Sequence, residues 1–189
     1  DLENQAYGKG KYVAPTDGTP GSAITSMDGL VTLIAGGIAG NRTAHSLINS
    51  VALTNPISRS TAFDGIEEFI ENIDELLLNK PMTLGCDPKV ARWYFKDRRD
   101  TLGANANYSD GNAKRIDDYE NVQWAPMPSL AGTGVVFATP TKNFVHIRPK
   151  KAMNPIRTES SKRQVAVMAD WREGLGFLFN ELVYAYKPA

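Results

Sequence analysis

The apolar residues of this chain change their period once. Up to about residue 103 they recur at helical spacing, and beyond the asparagine-rich loop from Gly103 to Gly111 they alternate as strand residues do. Helices first and strands after, instead of a regular strand–helix repeat, predict an α+β fold. The 189 residues leave room for one compact domain plus an extended arm, but not for two full domains.

Residues 1–26 carry Gly8, Gly10, Pro15, Gly18, Pro20 and Gly21 among polar side chains. Such a stretch cannot bury itself, so it reads as an extended glycine- and proline-rich arm or loop, ordered by a partner surface. Residues 27–189 then form the domain proper. Leu30, Leu33, Ile34 and Ile38 predict a short helix from Asp28 to about Ala39. The strongest signal follows, where Ile66, Phe69, Ile70, Ile73, Leu76 and Leu77 draw an apolar stripe that predicts one helix from Phe63 to Asn79. Met82-Thr83-Leu84 is a buried strand, and Asp87-Pro88 caps a second helix that runs to about Asp100. Strand-like segments start at Val122, Gly134 and Phe144. A closing hairpin is predicted from Gln164–Trp171 and Phe177–Tyr186, joined by Arg172-Glu173-Gly174.

Catalytic chemistry is sparse. Cys86 is the only cysteine, and with His45 and His146 it cannot complete a structural zinc site, so no metal or cofactor is expected. Preceding a helix cap, Cys86 could be a low-pKa nucleophile or a small buried apolar residue. Neither histidine has an acid partner at a motif spacing. Gly132-Thr133-Gly134 opens a strand and lacks a third glycine, which removes it as a phosphate loop. Asp117, Asp118 and Glu120 lack the ordered spacing of a calcium loop. The triplets at Asn41 and Asn107 match the glycosylation pattern, a frequent chance match. The longest apolar stretch, Leu30–Ala39, is about half of a membrane span. The chain starts at Asp1 without a leader, as a processed product or a piece of something longer would.

Charge placement says more than charge content. Lys plus Arg and Asp plus Glu both number 21, yet residues 1–79 hold 4 basic and 10 acidic side chains, residues 80–163 hold 15 and 8, and the remainder 2 and 3. A neutral total therefore hides segments of net −6, +7 and −1. Asp64, Glu67, Glu71 and Asp74 step by three or four residues and form one acidic stripe. Lys89, Arg92, Lys96 and Arg99 repeat the stepping with opposite sign on the next helix. They are either two solvated helix faces or complementary surfaces that meet, within one subunit or between copies. A third option sends the basic stripe, with Lys150, Lys151, Arg157, Lys162 and Arg163, to nucleic-acid phosphates.

The order of these features resembles the major capsid proteins of tailed bacteriophages. The resemblance rests on the lead-in Gly8-Lys9-Gly10 to Pro20-Gly21, on Met27-Asp28-Gly29-Leu30, on the acidic helix, and on Met82-Thr-Leu-Gly-Cys-Asp-Pro-Lys-Val-Ala-Arg-Trp-Tyr94 with Lys96-Asp97. It continues through Val122-Gln-Trp-Ala-Pro-Met-Pro-Ser-Leu130, Gly132-Thr-Gly134 with Val135 to Asn143, and the closing aromatic segment with Asp170-Trp171. It implies the Hong Kong 97 capsid fold: helices packed on a mostly antiparallel sheet with a long C-terminal β-hairpin, divided into an axial domain and part of a peripheral one. Family subunits are usually longer, with an arm, an extended loop and a spine helix that would precede Asp1.

The implied role is structural and not enzymatic. Copies of the chain, in hexamers and pentamers, would tile an icosahedral shell around DNA, assembled in the bacterial host cytoplasm and retained in the virion, with non-specific contact to packaged DNA and no membrane. The eight stripe residues are then the subunit-interface candidates. Two other classes stay open: a cysteine-dependent hydrolase using Cys86, and a nucleic-acid-binding module using the basic 80–163 surface.

Overall fold

A six-stranded sheet separates two apolar layers. The computed structural model describes residues 2–14, 16, 21–40, 47–103, 115–116, 119–148, 156–161, 164–169 and 173–188. The helices are α1 (Leu2–Lys9), α2 (Leu30–Ala39), α3 (Ala62–Glu71), α4 (Glu75–Leu78) and α5 (Pro88–Leu102). The strands are β1 (Asn49–Ser50), β2 (Met82–Cys86), β3 (Arg115–Ile116), β4 (Tyr119–Pro126), β5 (Val136–Pro140), β6 (Phe144–Ile147), β7 (Ile156–Ser161), β8 (Gln164–Ala169), β9 (Gly174–Phe177) and β10 (Tyr184–Tyr186).

The sheet runs β1-β10-β5-β2-β4-β3. Pairs β1–β10 and β2–β4 are parallel, whereas β10–β5, β5–β2 and β3–β4 are antiparallel. The fold is α+β as expected, and the sheet is mixed, with three of its five pairings antiparallel and two parallel. The parallel pair β2–β4 needs a crossover between its strands, and the segment that joins them carries α5.

Strand alternation sorts the side chains into the two layers. Met82, Leu84, Cys86, Val122, Trp124, Val136, Ala138 and Tyr186 face α3 and α5, where Ile66, Phe69, Ile70, Val90 and Tyr94 close the first core. Each fully buried side chain of this size contributes about 1.5–3 kcal/mol over its exposed state. Phe137, Val183 and Ala185 face the other way and join Leu30, Ile34, Ile48, Leu130 and Val135 in the second core, against α2. Gly85 is registered opposite Phe137, and that ring fills the place a side chain at residue 85 would need.

The helix predicted over 63–79 is in fact two. Asn72 turns its amide back to the Glu68 carbonyl at 2.8 Å, and Asp74 leaves helical geometry at ψ 127° to accept from the Leu76 amide at 2.9 Å. A short polar side chain that caps a new helix competes with continuing the old one. The Asp87-Pro88 start of α5 is as predicted, with Asp87 accepting from the Lys89 amide at 2.8 Å and from the Gly134 amide at 3.0 Å. Asp97, itself 8% exposed, accepts from the Phe63 amide at 2.9 Å and so caps α3 from the flank of α5.

Two expectations about the chain's flanks are corrected. Residues 2–9 are not an extended arm but α1, which lies against α2 and residues 128–130. A methyl group on Gly8 would overlap the Ser129 carbonyl, and one on Gly29 would strike backbone atoms of Ala6, Gly8 and Gly10. These glycines serve close approach rather than flexibility. Beyond them the chain runs beside 24–25, with the Lys11 and Val13 amides donating to the Ile24 and Thr25 carbonyls at 2.9 and 3.0 Å.

The closing hairpin is also different. β6 pairs antiparallel with β9, and β7 and β8, which lie between them in the chain, pair with each other, so the described strands of the hairpin arm are β6, β7, β8 and β9. Strand β10 returns to the main sheet, between the edge strand β1 and β5. Composition does not distinguish these partners, because 164–169 and 184–186 are both apolar β-formers whose pairing is decided by distant segments.

Candidate functional site

Both charged stripes lie on one side of the molecule. Because α3 and α5 set their apolar faces on the same side of the sheet, their opposite faces point together to solvent. Asp64 and Glu71 are exposed and Glu67 is half-buried on α3; Lys89, Arg92, Lys96 and Arg99 are all exposed on α5. Asp74, also exposed, belongs to the cap of α4 and leaves the acidic stripe.

The basic stripe is held by its own helix. Lys89 Nζ sits 4.6 Å above the Trp93 ring, a cation–π contact of about 0.5–1 kcal/mol at an exposed site. Arg92 Nε donates to the Pro88 carbonyl at 3.3 Å and Arg99 Nε to the Phe95 carbonyl at 3.2 Å. Each guanidinium is thereby oriented by a carbonyl of its own helix. A row of oriented cations loses less side-chain entropy on meeting an anionic surface than a row of free ones.

The other candidates resolve differently. Cys86 has 0% exposure, and burial, aided by the neighbouring Asp87 carboxylate, pushes its thiol up to about 12. A thiol so placed holds its proton at neutral pH and is closed to substrate, which corrects the cysteine-hydrolase alternative. Gly132 and Gly134 take φ of 75° and 65° in the turn that feeds β5, with the Gly134 amide already given to Asp87. Of the second basic cluster, Lys150, Lys151, Lys162 and Arg163 lie outside the described residues, as do His45, Asp117 and Asp118. Arg157 is in β7. Among the described residues no group of three or more His, Cys, Asp and Glu is arranged to hold a metal ion, and no helix is long and apolar enough to cross a membrane.

A polar cluster at the base of the hairpin arm had no sequence signal. Tyr7 of α1 donates a hydrogen bond to Glu173 Oε2, His146 Nε2 lies 3.4 Å from the same oxygen, and Arg148 Nε lies 3.4 Å from Glu173 Oε1. Tyr7 and Glu173 stand 166 positions apart, beyond any local pattern.

Comparison with known proteins places this fold beside a viral one. The chain is similar in structure to a chain of Mycobacterium phage Che8, with a TM-score of 0.50 and 12% identity over 74% of this chain. The match covers 53% of the phage chain, so this sequence spans about half of that protein's length. No family model and no curated protein matches the sequence.

Proposed function

We propose that the chain is a shell-building subunit of a tailed-phage head, a major capsid protein that associates with copies of itself into hexamers and pentamers around DNA. The likeness in fold to the chain from Mycobacterium phage Che8 is the observation that carries this reading. Two solvent-facing helices of opposite charge support it. Repeating closed assemblies need surfaces that complement one another, and α3 and α5 offer a matched pair on every copy. At such contacts like-charge juxtaposition rejects wrong registers, while opposite charges steer encounter.

The test is charge reversal on the exposed members within the complete subunit. Asp64→Lys with Glu71→Lys is expected to abolish shells seen by sedimentation and electron microscopy while leaving the far-ultraviolet circular dichroism unchanged. Adding Arg92→Glu and Lys96→Glu to those two is expected to restore assembly. Normal shells from the first double variant would remove the inter-subunit role. The basic stripe also favours one second reading, contact with nucleic-acid phosphates. That reading requires DNA binding that weakens steeply with salt and is lost in the Arg92→Glu, Lys96→Glu variant whether or not shells form.

A further inference from the structure

The cluster at the arm base does work that the shell reading leaves unused. The β6–β9 ladder runs from Phe144 opposite Phe177 to Ile147 opposite Gly174. On its inner side Phe144 and Phe177 reach the second core through Phe137, with ring centroids 6.2 and 5.7 Å away. Past Ile147, the two chains entering and leaving the arm carry Arg148 and Glu173. From there β7 and β8 form a separate two-stranded sheet. A lone hairpin has little stability of its own, so its attachment is decided at the base.

Glu173 is the hub of that attachment. Its carboxylate accepts the hydrogen bond from the Tyr7 hydroxyl of α1, faces His146 on β6 at 3.4 Å, and faces Arg148 just beyond β6 at 3.4 Å. The Tyr7 and His146 rings also meet edge to face at 5.6 Å. The Tyr7 hydrogen bond, and after it Arg148 and His146, hold the Glu173 carboxyl below the usual carboxylate range despite partial burial. Tyr7 is itself a fixed point, because α1 is locked to the body through the close backbone packing at Gly8, Gly10 and Gly29.

We propose that Tyr7, His146, Arg148 and Glu173 form a strap that fastens the hairpin arm to α1, and that opening the strap frees the base of the arm while the two-layer body stays folded. The inference stands apart from the capsid reading, since it concerns one chain alone. Its elements join residues from the two ends of the sequence at one spot. The apolar anchor of Phe144 and Phe177 would then act as the pivot, and the polar strap as the fastening on one side of it.

Amide hydrogen exchange on the whole chain tests it, comparing the parent with Glu173→Gln, which keeps the shape and removes the charge, and with Tyr7→Phe, which removes one hydroxyl. Amides of 145–147 and 174–177 are expected to exchange at least ten-fold faster in both variants, with those of 84–86 and 136–138 unchanged. Unchanged exchange at the arm base would overturn the proposal. So would an equal rise at the arm base and in the central strands, because that would make the cluster a general stabiliser and not a local fastening.

Discussion

Gly29→Ala should destabilise this fold, although a glycine-to-alanine change in a loop usually does the reverse. By itself the substitution restricts the unfolded chain and favours the native state by about 0.4–1 kcal/mol. Residue 29 precedes α2 at φ −82°, so backbone strain adds nothing. Space decides the sign. A Cβ there would lie 2.6 Å from the Ala6 carbonyl oxygen, 2.6 Å from the Gly10 nitrogen and 2.7 Å from the Gly8 carbonyl oxygen, up to 0.8 Å short of the 3.4 Å at which ordinary contact begins. All three are backbone atoms of α1 and its end, which cannot rotate aside as a side chain would. Relief therefore means moving α1 outward, against the 2.9 Å hydrogen bond from the Gly29 amide to the Gly10 carbonyl. Overpacking of this kind costs roughly 1–3 kcal/mol and the hydrogen bond about 1 more, so the net loss comes to about 1–3 kcal/mol. Urea unfolding reads it directly, with Gly21→Ala as the matched control, since a methyl at residue 21 meets nothing within 4 Å. That control should be neutral or more stable than the parent. A Gly29→Ala variant as stable as the parent would refute the close packing of α1.

Cys86 should resist a thiol reagent in the native protein at pH 8 and react only on unfolding; prompt labelling would contradict its burial. Burial raises its thiol in the folded state from an ordinary value of 9.0 to about 12. Its contribution to stability is therefore complete below about pH 9 and is lost as pH rises through 12. Between pH 8 and pH 10 the parent is expected to lose about 1.4 kcal/mol that Cys86→Ala does not lose, as urea midpoints at the two pH values would show. Asp97→Ala removes the cap on α3 and should cost about 1–2 kcal/mol, with Asp97→Asn recovering part of it through its carbonyl oxygen; equal stability of all three proteins would mean the cap carries nothing.

The parts of the fold legible in the sequence are those decided locally. The Asp87-Pro88 start of α5, the apolar stripe of α3 and the exposed basic row all follow from spacing within one or two helical turns. The break at Asn72 was written there too, in an aspartate that prefers the cap of a new helix to the interior of an old one. What spacing cannot decide is which of two physical uses a residue type serves. Glycine-rich sequence reads as loose chain, yet Gly8, Gly10 and Gly29 sit where two backbones touch. Strand partners are settled at long range, so the parallel pairing of β1 with β10 and the arm formed by β6 and β9 have no local cause. The strap joining Tyr7 to Glu173 belongs to the same class.

The position of β10 has a consequence for how the protein is made. That strand, Tyr184–Tyr186, lies between β1 and β5, although β1 is complete by residue 50. During synthesis β2, α5, β4 and β5 can assemble with α3 as soon as residue 140 has emerged, since their contacts lie within that span. The strand that joins β1 to this unit does not yet exist. Val183 and Ala185 are also missing from the second core until then, so Ile48 and α2 must wait with much of their apolar surface uncovered. Folding of the sheet is therefore gated by β10, and a ribosome that stops short of residue 184 releases a chain with a sticky half-sheet.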